Sequence, residues 1–244
     1  MKGSDHNDAA VVEKLIHEIG DSRKAVQRRA IDELAGLAAS GNPIVIEKLR
    51  GSIASADRRV RWAAAYALAQ IGADAFAMDS ADALVEAMAD DDGDIRWAAT
   101  NLMARLGREN LAEISARLLK LAASNDRNAR KMALYCIRDL EIAGPELIAV
   151  VERAVHDSDI HVRLAALAVL SRLRDPSGQA VKIMLECMKS DTDAGVRRAA
   201  ASAFGNIQNA SADARAALEF AALDTTDESL ARAARGALDR LEKR

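Results

Sequence analysis

The sequence predicts an all-α solenoid built from seven two-helix repeats, and three observations carry that expectation. First, an apolar position recurs at Val26, Val60, Ile95, Ala129, Val162, Val196 and Leu230, so that successive copies stand 33 to 35 residues apart. Copies at so regular a period mark stacked helix pairs, each too small to bury its apolar face alone. Second, an aspartate stands three residues ahead of six of the seven: Asp57, Asp92, Asp126, Asp159, Asp193 and Asp227. A carboxylate there accepts hydrogen bonds from the free amides of a helix's first turn and suits the positive end of its dipole. Third, apolar residues follow at four, eight and eleven places, as in Ala64, Leu68 and Ile71 or Ala99, Met103 and Leu106. That is the period of a helix with one buried stripe.

Taken in order, residues 1–8 read as a polar tail. Repeat one, about 9–40, pairs a helix carrying Val11, Val12, Leu15, Ile16 and Ile19 with a second over about Lys24 to Ala39. Repeat two, 41–73, opens on Asn42-Pro43, a cap followed by a proline in the first turn, where no amide hydrogen is needed. Its second helix covers about Arg58 to Ile71. In repeat three, 74–108, a long connection should tuck Phe76 or Met78 into the stack before a first helix near Ala81 to Ala89. Repeats four (109–142), five (143–175) and six (176–209) place first helices near Leu111 to Ala123, Pro145 to His156 and Gly178 to Lys189. Repeat seven, 210–244, pairs Ala212 to Ala222 with Glu228 to Leu241. Gly72 and Gly107 are expected to close two of the second helices in a left-handed conformation. No linker or shift of composition interrupts the series, so 9–244 reads as a single domain. Repeats one and seven depart from the consensus as caps should, and their polar outer faces favour a monomer.

The segments Val60-Arg-Trp-Ala-Ala64, Ile95-Arg-Trp-Ala-Ala99, Val162-Arg-Leu-Ala-Ala166 and Val196-Arg-Arg-Ala-Ala200, with their preceding aspartates, resemble the HEAT repeat family. The likeness is strongest to its short bacterial form, often named after the phycobilisome lyases. Pro43 and Pro145, each seventeen residues ahead of the repeated apolar position, match the proline such repeats often carry. The resemblance covers nearly the whole chain and implies a right-handed α-solenoid, a superhelix of seven two-helix HEAT-like repeats. It is specific for fold and not for activity, since the family includes scaffolds, chromophore lyases, hydroxylases and nucleic-acid repair proteins. It also implies that Asp90 with Arg96, Asp157 with Arg163 and Asp191 with Arg197 belong to a structural ladder of hydrogen bonds between successive repeats.

Composition agrees with a helical stack. The chain of 244 residues is 50% hydrophobic and 29% charged, too mixed to be disordered, and its three prolines and 3% aromatics suit alanine-rich helices that approach closely. A net charge of −3 argues against nucleic acid as a partner through bulk charge. Cys136 and Cys187 fall in different repeats and read as buried free thiols of a reducing compartment. The N-terminus has no apolar run for a signal peptide and no window approaches a membrane span, so a cytoplasmic location is expected, with no membrane contact.

Residues two, six and nine places after the repeated apolar position point away from the buried stripe. In HEAT-like stacks that face of the second helix lines the concave surface, and it carries both tryptophans and both tyrosines of the chain. The expected partner-binding residues are therefore Trp62, Tyr66, Trp97, Asn101, Lys131, Tyr135, Arg138, Leu164 and Arg198, with Trp62 and Trp97 side by side as neighbouring rungs. No catalytic or metal-binding set is expected. Asp90-Asp-Asp-Gly-Asp94 lacks the later glutamate of a calcium loop, and His6, His17, His156 and His161 are scattered. His17-Glu18 is the one His-Glu pair, whereas HEAT-like deoxyhypusine hydroxylases hold iron with several.

The leading expectation is a non-enzymatic adaptor that holds a protein or peptide on the concave face without a cofactor. One alternative is a bilin-lyase-like or chaperone-like protein holding a tetrapyrrole, another small molecule or a tetrapyrrole's acceptor protein. The other is a HEAT-like nucleic-acid-binding repair protein.

Overall fold

The computed structural model describes residues 2–72, 78–173, 178–207 and 211–243, with the backbone alone for 2–8. Among them there is no strand, and every long element is an α-helix. The chain divides into two compact units, Met1–Ile114 and Ser115–Arg244.

The first unit holds α1 (Lys2–Glu18), α2 (Lys24–Ala39), α3 (Pro43–Ser52), α4 (Arg58–Ile71), a 3-10 turn at Met78–Ser80, α5 (Ala81–Ala87) and α6 (Gly93–Glu109). The division falls within α7 (Leu111–Leu121). The second unit continues with α8 (Arg127–Asp139), α9 (Pro145–Ala154), α10 (Ile160–Leu170), α11 (Gln179–Ser190), α12 (Ala194–Phe204), α13 (Ala212–Ala222) and α14 (Glu228–Glu242).

All six repeated aspartates act as helix caps. Asp57 accepts from the Arg59 amide at 2.8 Å, Asp92 from Asp94 at 2.9 Å, Asp126 from Ala129 at 2.8 Å and Asp159 from His161 at 2.8 Å. Asp193 and Asp227 do the same for Val196 and Leu230, at 3.1 and 2.9 Å. Each satisfies an amide that has no partner inside the helix. Asn42 caps α3 through the Ile44 amide at 3.0 Å, with Pro43 following as expected.

The buried stripe of the second helices forms the core: Ala64 and Leu68, Ala99 and Met103, Ala133 and Ile137, Ala166 and Leu170, Ala200 and Phe204 are all shielded from solvent. The alternation of alanine with a larger residue lets helices pack closely while the longer side chain fills the gap between them. Cys136 and Cys187 are buried and unlinked.

The arginine ladder links successive repeats, with each aspartate bonded to the arginine of the repeat before it. Each arginine donates through Nη1 to main-chain carbonyls of its own turn, as Arg130 does to Ser124 and Asn125 at 3.0 and 2.9 Å and Arg163 to Asp157 at 2.8 Å. In Arg61, Arg130, Arg163 and Arg197 the remaining edge reaches the next repeat. Arg130 grips Asp157 through Nε and Nη2 at 2.7 and 2.9 Å, Arg163 grips Asp191 at 3.0 and 3.2 Å, and Arg197 reaches Asp227 at 3.2 Å. In the first unit Glu86 takes the acidic place and accepts from Arg61. A guanidinium presents its donors in a planar fork, so one edge can serve each repeat at once.

Two local expectations differ. The polar residues 2–8 continue α1 instead of standing apart as a tail; extending a helix already nucleated by Val12 and Leu15 costs little per residue. Gly107 lies inside α6, which runs on to Glu109 and is closed by Asn110. A glycine costs only about 1 kcal/mol within a helix, and the burial of Met103 and Leu106 offsets it. Gly72 does end α4 with a positive φ of 146°. Phe76 lies outside the described residues, and Met78 is partly buried.

Candidate binding site on the second-helix face

In the first unit the second helices α2, α4 and α6 enclose a cleft of about 460 Å³. Its apolar floor comes from Ile31 of α2, Trp62 of α4, and Ile95 and Ala98 of α6. The floor thus joins Trp62, at an outward position of α4, to Ile31 from the core of α2 and to Ile95, the repeated apolar position of α6. Tyr66, one turn beyond Trp62, tilts against it with ring centroids 5.3 Å apart, and its hydroxyl accepts from Gln70 Nε2 at 2.9 Å.

Charges of both signs surround this floor. Lys24 Nζ lies 2.5 Å from Asp92 Oδ2 and 3.6 Å from Asp94 Oδ2, reaching from the start of α2 to the start of α6 across the intervening α4. That ion pair links the second helices of repeats one and three on the side where Trp62 lies. The Asp92 carboxylate is held below the ordinary range by the hydrogen bond from Lys24 and then by the Asp94 amide, while the same bond raises Lys24. Arg58 Nη2 sits 3.1 Å from Asp90 Oδ2, which also accepts from the Asp92 amide through Oδ1 at 2.9 Å. Asp21 is lowered by its side-chain bond from Arg23 and by that residue's amide. The acidic run 90–94 is thus occupied by Lys24, Arg58 and its own backbone. Among the described residues no group of three His, Cys, Asp or Glu side chains is arranged to hold a metal ion.

Arg28, Asp32 and Arg59 also line the cleft, and all three are exposed. Arg28 and Asp32 make no ion pair among the described residues, which leaves one cation and one anion of the rim available.

The structure brings Trp62 and Tyr66 together but separates the two tryptophans in environment. Trp62 is only 7% exposed at the cleft floor, whereas Trp97 is 49% exposed and is not part of the lining. Equivalent positions on successive second helices thus differ in solvent access, Trp62 at the floor of the cleft and Trp97 outside its lining. Asn101 is exposed one turn beyond Trp97 on α6.

In the second unit, Tyr135 and Arg138 of α8 meet, with the guanidinium carbon 5.1 Å from the ring centroid, a cation–π distance, and Arg138 also pairs with Asp139 at 2.8 Å. Lys131 lies one turn before Tyr135 and is partly buried, as is Leu164 on α10. Arg198 on α12 is exposed and donates to Ser229 Oγ at 3.1 Å.

Sequence reasoning missed the part of the cleft made by helix N-terminal turns, namely Lys24, Arg58, Arg59 and the 90–94 run. A signal was present, since Arg28 and Asp32 occupy the same outward positions in repeat one as Trp62 and Tyr66 do in repeat two. No residue spacing reveals that Lys24 of repeat one reaches Asp92 of repeat three.

No helix among the described residues is long and apolar enough to cross a membrane. A family model described as HEAT repeats matches residues 12–109 and 114–205. Among solved structures, an archaeal HEAT-like repeats protein from Thermococcus onnurineus NA1 is similar over 95% of this chain and 97% of its own, with a TM-score of 0.54 and 12% identity. An engineered protein matches over 95% of this chain and 68% of its own, with a TM-score of 0.51 and 23% identity. A chain in the structure of Kap95p with RanGDP gives a TM-score of 0.61 at 14% identity, over 95% of this chain and 36% of that one. Identities this low speak for the fold alone. No curated protein matches the sequence. With the repeated Asp caps, the arginine ladder and the family match over most of its length, the chain belongs to the HEAT repeat family.

Proposed function

We propose that this protein is a non-enzymatic scaffold that holds a segment of a partner protein on its second-helix face, anchored in the Trp62 cleft. The observation that carries the reading is the cleft itself: an apolar floor of Ile31, Trp62, Ile95 and Ala98 in a volume of about 460 Å³, edged by unpaired Arg28 and Asp32. An aromatic at the base of a concavity with charges at its rim is the composition of a binding hot spot, where an apolar side chain enters and flanking charges set its register. The ligand that fits is a peptide segment with an apolar anchor flanked by one acidic and one basic residue. Five aspartates and four cations (Lys24, Arg28, Arg58 and Arg59) line the cleft, so it presents no net positive field for a polyanion. Kap95p, whose chain shares this fold, acts on RanGDP, and a protein partner is in keeping with that.

Trp97 and Asn101 continue the stripe along α6, and we assign them to the margin of the same surface. Lys131, Tyr135, Arg138, Leu164 and Arg198 form the corresponding stripe of the second unit and are proposed as a contact surface in their own right.

The test is selection of peptides from a random library on the whole protein, followed by titration of Trp62 fluorescence. Selected peptides should bind an Arg28→Glu, Asp32→Lys double variant at least about tenfold more weakly, because both rim charges are reversed. Equal affinity for both proteins would place the binding surface elsewhere, and a library that yields no binder while a bilin shifts its absorbance on mixing would replace the peptide with a tetrapyrrole.

A further inference from the structure

A second surface stands apart from the cleft. Phe220 and Leu223, at the end of α13, are 82% and 81% exposed, far more than any other large apolar side chain among the described residues. The outer face of this helix is therefore not the polar cap expected of a terminal repeat. Phe220 lies beside an open groove of about 810 Å³ between α11 and α13, whose walls include Leu185 and Met188 on one side and Ala216 and Ala217 on the other. A projecting ring next to a hollow floored by alanines is a knob beside a hole.

Apart from the paired Arg197 and Asp227 and the loop carboxylate of Asp224, the groove carries one charge of each sign, at opposite ends. Lys189 closes α11 and Asp213 opens α13; both are exposed, and neither has an ion pair among the described residues. Because α11 and α13 are the first helices of consecutive repeats about 34 residues apart, they run parallel, and Lys189 stands level with Leu223. On α13, Phe220 lies seven residues beyond Asp213, and the level of Lys189 lies seven residues beyond Ala216. At 1.5 Å per residue both spans are about 10 Å. A second α13 laid antiparallel in the groove therefore sets its Phe220 over Ala216 and its Asp213 beside Lys189 in one register. A two-fold axis repeats both contacts in the other copy. Asp224, the nearest like charge, is turned into its own loop, where it accepts from the amide and hydroxyl of Thr226 at 2.7 and 2.6 Å.

We infer that a second copy of this chain occupies the groove, giving a two-fold dimer through antiparallel α13 helices with Phe220 seated over Ala216 and Lys189 paired with Asp213 across the interface. The patch is small, so the dimer is a weak one that forms in the micromolar range.

Sedimentation equilibrium of the full chain across that range is the test. The wild type should fit a monomer–dimer equilibrium, and Phe220→Asp should weaken it at least about tenfold with unchanged helicity, since the side chain makes little contact in the monomer. Lys189→Glu should weaken it similarly, and Lys189→Glu combined with Asp213→Lys should return it to within about threefold of wild type, because the swap restores the pair with its sign exchanged. A wild type that stays monomeric throughout overturns the inference and leaves the groove to a partner of another kind. So does a dimer that survives Phe220→Asp, or a charge swap that restores nothing.

Discussion

Lys24 of α2 and Asp92, the cap of α6, form an ion pair at 2.5 Å across the intervening α4. The two residues are 68 positions apart in the chain and belong to repeats one and three. Their contact closes the N-terminal end of the cleft above Trp62.

Replacing Lys24 with methionine should loosen that end without unfolding the protein. Lys24 is largely exposed, so its pair contributes little to global stability. Amide exchange in the first turn of α6, around Asp94 to Arg96, should speed up in the variant, and high salt should have the same effect on the wild type. Exchange that ignores both changes would show that packing alone holds α6 against α2.

The tryptophans should part in both stability and fluorescence. Trp62→Ala empties a buried site and should cost about 3–5 kcal/mol in chemical denaturation. Trp97→Ala removes a half-exposed ring and should stay within about 1 kcal/mol. Iodide should quench one emitting population readily and the other poorly, and the quenched one should vanish in Trp97→Ala.

The ladder predicts a sign for pH. Burial pushes the Asp157 carboxyl up, but the bond from Arg130, then the Asp159 amide and the neighbouring cations, outweigh it and leave the group below its ordinary value. A carboxylate whose folded pKa is depressed stabilises fully above its unfolded value of about 4 and loses that contribution as pH falls through the folded one. Asp157→Asn should therefore cost about 2 kcal/mol at neutral pH, with the difference from wild type shrinking in acid. Parallel denaturation curves at each pH, with a constant gap, would contradict this origin.

Both thiols should be slow to react. Burial, with help from the charges of Asp191 and Glu186, pushes the Cys187 thiol up to about 11, so little thiolate exists at neutral pH. Cys136 is fully enclosed. A disulfide reagent should titrate both at once in denaturant and neither promptly in the native protein.

Much of this architecture was legible in the residues because its determinants are local. A helix cap needs one aspartate three places from the first buried residue, and the buried stripe needs a 3.6-residue period; both are visible over a dozen positions, so Asp57 through Asp227 and the core from Ala64 to Phe204 could be named in advance. Gly107 misled because glycine permits a helix end without requiring one, and whether α6 stops there depends on the packing around it.

The candidate site was legible only as a stripe. An outward angle on a helix says that Trp62 and Trp97 share a position in the repeat, but exposure depends on how neighbouring helices curve together. Contacts that join the repeats, such as Lys24 with Asp92 and Arg61 with Glu86, link residues tens of positions apart. The same holds for the exposed Phe220, which departs from the buried stripe of Ala214, Leu218 and Ala221 in its own helix yet becomes a surface feature only beside the hollow between α11 and α13. Sequence periodicity by itself determined the fold family, the caps and the core. Tertiary structure alone decided which aromatic is a floor and which is a surface, because that choice is made by side chains that meet across repeats.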